Sequence, residues 1–587
     1  MAAGNHRDGE PAPVLILGLD GATWDLLDPL LAAGRLPNIA RLLAAGSRGP
    51  LLSTVPPMTF PAWTTLMTGV NPGKHGIFDF TQRKARSYDV EFTNAAARGA
   101  PTMWRLLSDC GKRVACVRIP VTYPPEPLNG VTVCGFEALG MAGGFTRKAV
   151  YPPEIFDAIK REVPGYHMKT NATELAAAGR IEAIVDHLLE GIDLNLSLCE
   201  YLFQREDWDC FMVVFGESDL AGHFLWRYHD EQSPRRLGEP SPKLRAGMTA
   251  VYEALDRAVG RLSDLAPAHI RLLVSDHGFG GVSDWVIQMN TWLAEAGFLA
   301  FKGGSGDGHP AGGRGPLMNA LDAVRTTGMK LLPPAVKAQL YKHGEAVVNR
   351  VESYLRFGNL DLARTQVYAE EVPYGPSLWV NLRGREPAGT VAPGEEYEAI
   401  RDRVIARLSE WRHPETGAAL VASVRRREDV YHGDYVSKAP DLIVEWALND
   451  GYSYAFEKSG KGGRHAALRR LSREELDAPA MHNKSGFHRP EGILGIAGPG
   501  IAAGAQLQGA RLLDIAPTVM HLLGLPVPAH MDGGPLLQAL SETAAAARRA
   551  VAVSQMTAAA EVVAEADYSE DEEQAIQERL ESLGYIE

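Results

Sequence analysis

Residues 14–21 read VLILGLDG: an unbroken apolar and glycine run from Val14 to Leu19 that ends on Asp20. A run without polar alternation is the mark of a strand covered on both faces, as in a parallel sheet flanked by helices. The pattern recurs twice. Cys210 to Phe215 (CFMVVF) leads into GESD, and Ile270 to Val274 (IRLLV) leads into SDHG. In open parallel sheets ligands bind beyond the carboxyl ends of the strands, so Asp20, Asp219 and Asp276 are expected to converge on one edge. One such aspartate alone is an ordinary cap or turn residue. Three repetitions favour the shared edge. Between the first strand and residue 46 lie two helical stretches, TWDLLDPLLAAG closed by Gly34 and PNIARLLAAG from Pro37 to Gly46. The rhythm is α/β.

Working outward, 587 residues exceed one ordinary core, so a large α/β domain carrying an insertion is expected. The pattern breaks at about residue 295, and GGSGDGHPAGGRG follows at 303–315. Alternating and apolar segments resume near Tyr374 (YGPSLWVNL), then GEEYEAIRDRVIARL, APDLIVEW and EGILGIAGPGI. The expected division is a first core segment at 12–294, an insertion or cap at 295–365, a second core segment at 366–545 and a tail at 546–587. In the tail, Ser569 and Glu572 form a capping box, and Ile576, Leu580 and Leu583 make an apolar stripe. A helix docked on the core is expected there.

A formal charge of -13 leaves no general basic field, which argues against nucleic acid and anionic membrane surfaces as partners. The five scattered cysteines lack a C-x-x-C pair and read as reduced core thiols, which favours the cytoplasm. The polar N-terminus has no apolar signal region, and no later run reaches the roughly 18 apolar residues of a membrane span.

The chemistry concentrates in STVPPMTFPAWTTLMTGVNPGKHGIFDF, residues 53–80. Thr59 precedes Phe60 and Pro61, which places it at the N-cap of a helix running to about Thr68, beside free backbone amides suited to a phosphate. A capping threonine without chemistry fits this segment equally well. Asp219 and His223, four apart on a helical turn, share a face and can clasp one cation. Asp276 and His277 leave a strand end in opposite directions, to bind one ion from two sides or to help bridge two. His488 precedes another buried strand. Three carboxylates, three imidazoles and the Thr59 oxygen make seven ligands, enough for two ions that share substrate or water oxygens. Nitrogen and oxygen donors without thiolate suit Zn²⁺ first and Mn²⁺ second. Two such ions about 4 Å apart lower an alkoxide pKa and stabilise a leaving oxygen.

These motifs resemble the alkaline phosphatase superfamily, closest to its type I phosphodiesterase/nucleotide pyrophosphatase branch. VLILGLDG, TFPAW, the D-x-x-x-H at Asp219 and His223, SDHG, GFHRPEG and DIAPTVMHLLGLPVP carry the likeness over most of the chain. The resemblance implies an alkaline-phosphatase-like, mostly parallel sheet flanked by helices, and a Thr59 nucleophile. It implies one metal on Asp20, Thr59, Asp276 and His277, the other on Asp219, His223 and His488, and a small phosphate-ester substrate. One departure stands out. Ala62 occupies the place where that branch carries asparagine, so an oxyanion contact has to come from elsewhere. The stretch from Pro61 to Phe80 is more similar to uncharacterised bacterial phosphohydrolases or phosphomutases of the superfamily, so mutase or phosphotransferase action is the alternative to hydrolysis. A non-catalytic metal-binding protein is the alternative from another class. A sulfatase is disfavoured, because residues 59–63 read TFPAW and not C/S-x-P-x-R. Lys74, His75 and Arg489 are candidate substrate-binding residues, with Lys484 a weaker one and His482 a possible substitute ligand.

Overall fold

The computed structural model describes residues 11–138, 145–168, 171–302, 357–371, 375–459, 466–478 and 484–544. Tyr374, His482, most of the expected insertion and the tail with its capping box lie outside the described residues.

The three apolar runs are strands, Val14–Leu19, Cys210–Phe215 and Ile270–Val274, all parallel and adjacent. They form the middle of a nine-stranded sheet. On one side come Val114–Ile119, Gly130–Cys134 and an antiparallel edge at Val150–Tyr151. On the other side Glu491–Ala497 runs antiparallel between Ile270–Val274 and Gly46–Leu52, and Ala510–Arg511 closes the row.

Alternation along the first strand explains its apolar run. Leu15, Leu17 and Leu19 enter one hydrophobic cluster with the long helices Ile181–Arg205 and Pro242–Leu265, whereas Val14 and Ile16 enter another with Thr59–Thr68 and Ile515–Leu522. Both faces are thus buried under helices, and a polar side chain on either would lose its water. The register pairs Leu19 with Phe215 and Gly18 with Val274, so three strand ends stand level on one edge.

Two local readings shift. The second helix spans Pro37–Ala44 and caps on Ala45, while Gly46 opens a strand, where a Cβ would overlap the Ile496 carbonyl of the neighbouring strand. Thr59 is the first helical residue and not the cap, since Met58 is extended and its carbonyl accepts the Ala62 amide.

The later segments separate. Val367–Glu370, Ser377–Val380, Leu442–Trp446 and Val421–Arg426 form their own four-stranded antiparallel sheet, covered by helix Glu395–Ser409 around a distinct apolar cluster. Among the described residues after the expected insertion, only Glu491–Ala497 and Ala510–Arg511 return strands to the central sheet. The link between the two bodies is the fully buried strand Gly278–Ile287. Its first half pairs with Gly486–Arg489 beside the central sheet, and its second half pairs with Ser453–Phe456 and Leu468–Arg470. All five cysteines are unpaired and four are buried, as expected of core thiols. Among the described residues no helix is long and apolar enough to cross a membrane.

Candidate metal centre

Two groups of ligand residues lie on the carboxyl edge of the central strands: Asp20, Asp276 and His277 in one, Asp219, His223 and His488 in the other. Within each group the ligand atoms lie within 4.8 Å of one another, and every residue is buried.

The first group grows directly from strand ends. Asp20 follows Leu19, and its Oδ2 accepts a hydrogen bond from Trp63 Nε1 at 2.9 Å. Gly21, in the left-handed region at φ 65°, turns its amide onto Asp276 Oδ1 at 3.1 Å. His277 Nδ1 lies 3.1 Å from the Gly278 carbonyl, which can only accept, so the ring carries its proton there and leaves a lone pair on Nε2. That nitrogen sits 3.3 Å from Asp276 Oδ2, 3.6 Å from Asp20 Oδ1 and 3.4 Å from Thr59 Oγ1. Asp276 and His277, adjacent in sequence, thus bring an oxygen and a nitrogen within 3.3 Å of each other.

The second group needs two elements. Asp219 and His223 stand one turn apart on helix Glu217–His229, and His488 comes from strand Gly486–Arg489. Carbonyls again set the rings: His223 Nδ1 meets Gly486 O at 3.1 Å and His488 Nδ1 meets Pro57 O at 3.0 Å. Both Nε2 lone pairs then face each other at 3.1 Å, with Asp219 Oδ1 3.5 Å from His223 and 3.2 Å from His488. The groups adjoin, since the His277 and His488 rings stack with centroids 3.7 Å apart.

Burial raises the Asp20 carboxyl well above its ordinary range, and the nearby Asp276 and Asp219 charges raise it further. Asp276 rises for the same first reason. Burial holds His223 and His277 well below the ordinary histidine value and His488 down to about 3. Neutral imidazoles are ready ligands. Buried carboxylates lacking a counter-charge are costly, and Asp20 Oδ1 and Asp276 Oδ2 are buried with no hydrogen-bond partner. Opposed lone pairs and unpartnered carboxylate oxygens are what a divalent cation in each group would satisfy. The donor set fits.

Thr59 is fully buried at the head of its helix, where the first amides have no intrahelical acceptor. Ala62, three residues on, is sealed in the apolar cluster on that face of the sheet. Lys74 pairs with Asp532 and donates to the His530 carbonyl at 3.0 Å, and His75 is buried 2.9 Å from Thr65 Oγ1. Neither belongs to a ligand group. Arg489 donates to the Gly451 carbonyl at 2.6 Å. Trp63 was not singled out by sequence reasoning, although its place four residues after Thr59 put both on one helix face.

The type I phosphodiesterase/nucleotide pyrophosphatase family profile matches residues 14–487, which include six of the seven expected site residues and stop one short of His488. No curated protein sequence matches the chain. Among solved structures, phosphonoacetate hydrolase from Sinorhizobium meliloti in complex with phosphonoformate has a TM-score of 0.49 at 13% identity, covering 88% of this chain and 95% of that one. Human ectonucleotide pyrophosphatase/phosphodiesterase 5 has a TM-score of 0.45 at 13% identity over 90% of this chain and 99% of that one. The murine counterpart, an inactive form in complex with AMP, gives 0.45 at 12% over 90% and 100%. The family match spans the ligand-bearing edge from its first strand onward: this chain belongs to the type I phosphodiesterase/nucleotide pyrophosphatase family, whose members are metal-dependent phosphoester hydrolases.

Proposed function

We propose that the chain hydrolyses a small phosphate ester with Thr59 as nucleophile beside two divalent cations, Zn²⁺ or Mn²⁺. Asp20, Asp276, His277 and Thr59 would hold one ion, and Asp219, His223 and His488 the other. The observation that carries this reading is the junction of the two groups: Thr59 Oγ1 lies 3.4 Å from His277 Nε2, whose ring stacks on His488. When bound, the cations would lower the hydroxyl pKa and polarise the phosphoryl group.

The protein's own contribution is placement. The helix head holds the Thr59 oxygen at the positive end of the dipole, where phosphate charge is favoured. The Thr59 hydroxyl gives its proton to solvent as Oγ attacks phosphorus, the bond to the ester oxygen breaks, and that alcohol leaves with a proton taken from solvent. Water then attacks the phosphoryl group on Thr59, the bond to Oγ breaks and Thr59 regains a proton, releasing phosphate from a monoester or a phosphate monoester from a diester. Trp63 and Gly21 keep two carboxylates aimed, and carbonyls at residues 57, 278 and 486 keep three imidazoles aimed.

Rates on bis-p-nitrophenyl phosphate and p-nitrophenyl phosphate, with Zn²⁺ or Mn²⁺ added, test the proposal against chelated protein and Thr59→Ala. Turnover abolished by both controls, together with a phosphothreonine at position 59 in acid-quenched samples by mass spectrometry, supports it. Turnover that survives Thr59→Ala would overturn the nucleophile assignment. Transfer of phosphate to an added alcohol in preference to water would turn the reading towards a phosphotransferase.

A further inference from the structure

His488 has a second neighbourhood besides the ligand group. It lines a cavity of about 310 Å³ between the central body and the smaller sheet. The central body contributes Thr54–Pro57, immediately before the nucleophile helix, together with Phe78 and Phe487–Pro490. The smaller sheet contributes Ile443–Leu448 and Ser423, and Tyr431 closes the same wall by donating its hydroxyl to the Val55 carbonyl. The cavity thus shares His488 with the candidate centre and is lined by the loop that leads to Thr59.

Its walls are mainly apolar, with hydroxyls at Thr54, Ser377, Ser423 and Ser453 among them. Val55, Phe78, Ile443, Trp446, Phe456 and Phe487 are apolar or aromatic. The lining holds two acid or base side chains apart from His488, Glu445 and Arg489, and both are engaged. Glu445 accepts from Ser423 and pairs with Arg425 at 2.9 Å, and Arg489 donates to Gly451 O at 2.6 Å with its guanidinium laid against Gly280. At the rim Leu448 is 51% exposed, one of three large apolar side chains left in water among the described residues. A second phosphate would require cations that this lining does not offer. An apolar ring matches it, and since an apolar cavity of about 150 Å³ accommodates benzene, this one has space for such a group.

We propose that this cavity selects the ester: it takes an uncharged aromatic or bulky apolar organic group attached to the phosphate that reacts at Thr59, and it disfavours nucleoside polyphosphates. The inference rests on the hydrolytic reading above and names the substrate class for that same site. Trp446 and Leu448 act as specificity residues from the smaller sheet, which ties that body to substrate choice. Withdrawing one aromatic ring from water into such a cavity is worth a preference of about tenfold or more.

The test compares kcat/KM for phenyl p-nitrophenyl phosphate with that for methyl p-nitrophenyl phosphate, two diesters with the same leaving group. The wild-type ratio is expected to exceed about ten, and to fall at least about fivefold in Trp446→Ala and in Leu448→Glu. Leu448→Glu alters a half-exposed position and leaves the buried clusters untouched. In parallel, calorimetry on Zn²⁺-loaded protein compares phenylphosphonate with methylphosphonate and thymidine 5′-triphosphate. Tighter binding of phenylphosphonate, weakened by either substitution, supports the cavity even if no ester is turned over; in that case the hydrolytic reading alone would fall. A diester ratio near one, a ratio unmoved by both substitutions, or tighter binding of the nucleotide overturns the proposal while leaving hydrolysis standing.

Discussion

The two ligand groups meet across a stacked pair of histidines yet are built differently. Asp20 and Asp276 extend directly from paired central strands, and protein donors hold their carboxylates: the Trp63 indole on one, the Gly21 amide on the other. Asp219, His223 and His488 come from a helix and a distant strand, and it is backbone carbonyls at Gly486 and Pro57 that orient the two imidazoles. The first group is carboxylate-rich and set by the sheet. The second is imidazole-rich and depends on the Gly278–Gly281 and Gly486–Arg489 pairing staying in register. Rigid strand ends fix the Thr59 side of the site, and the more composite group shares His488 with the cavity.

Removing the proposed nucleophile has the largest effect. Thr59→Ala is expected to lower kcat by about 10³-fold or more, with two equivalents of metal still bound by elemental analysis. Retained activity would break the idea that the groups serve one nucleophile. Next, His488→Ala should reduce bound metal from two equivalents to about one and lower kcat/KM by about 10²-fold, because the first group keeps all its side chains. If both ions are lost, the groups are not separable.

A subtler change targets only the support. Trp63→Phe keeps an aromatic ring in the core but removes the donor to Asp20, and should weaken the first group's ion by about tenfold to a hundredfold in chelator competition while sparing the second. Equal weakening at both would show that the supporting bonds are shared.

The smallest effect separates the groups by acidity. Raised carboxyls at Asp20 and Asp276 must shed protons to bind metal, whereas the depressed imidazoles of His223 and His488 are already neutral. As pH falls, the first group should release its ion at higher pH than the second, seen as two steps in metal occupancy. The sign for stability follows from the same shifts. Folded carboxyl pKa values above the unfolded value favour the metal-free fold below the ordinary carboxyl pKa, and that contribution is lost as pH rises through the raised values. Melting of chelated protein across that window checks it.

Much of this was legible because it is local. VLILGL, CFMVVF and IRLLV each carry their burial and their terminal acid within a few residues, so Asp20, Asp219 and Asp276 could be placed on one edge before any pairing was known. His223 followed from helical spacing. His488 was marked by the buried strand it precedes, but its ligand group was not readable, because its partners Pro57 and Phe279 are hundreds of residues upstream, and only the resemblance assigned it beside Asp219 and His223. The smaller sheet was harder still. Its strands show alternation, but nothing in SLWV or LIVEW says that they pair with each other and not with the central sheet. The cavity inherits that blindness, since its walls join residues 54–57 to residues 443–490. Trp63 reads as a core aromatic, and only its indole bond to Asp20 reveals a second duty.

The segment around Glu491–Ala497 has a consequence for how the molecule comes into being on the ribosome. This strand inserts between Ile270–Val274 and Gly46–Leu52, which are made far earlier, and it follows directly on His488. Until it emerges, the nascent chain presents an apolar strand with an open hydrogen-bonding edge, the situation in which chains pair wrongly and chaperones are recruited. The three side chains of the first ligand group are by then already synthesised, the second still lacks its last imidazole, and a single late stretch of translation both seals the sheet and completes the site.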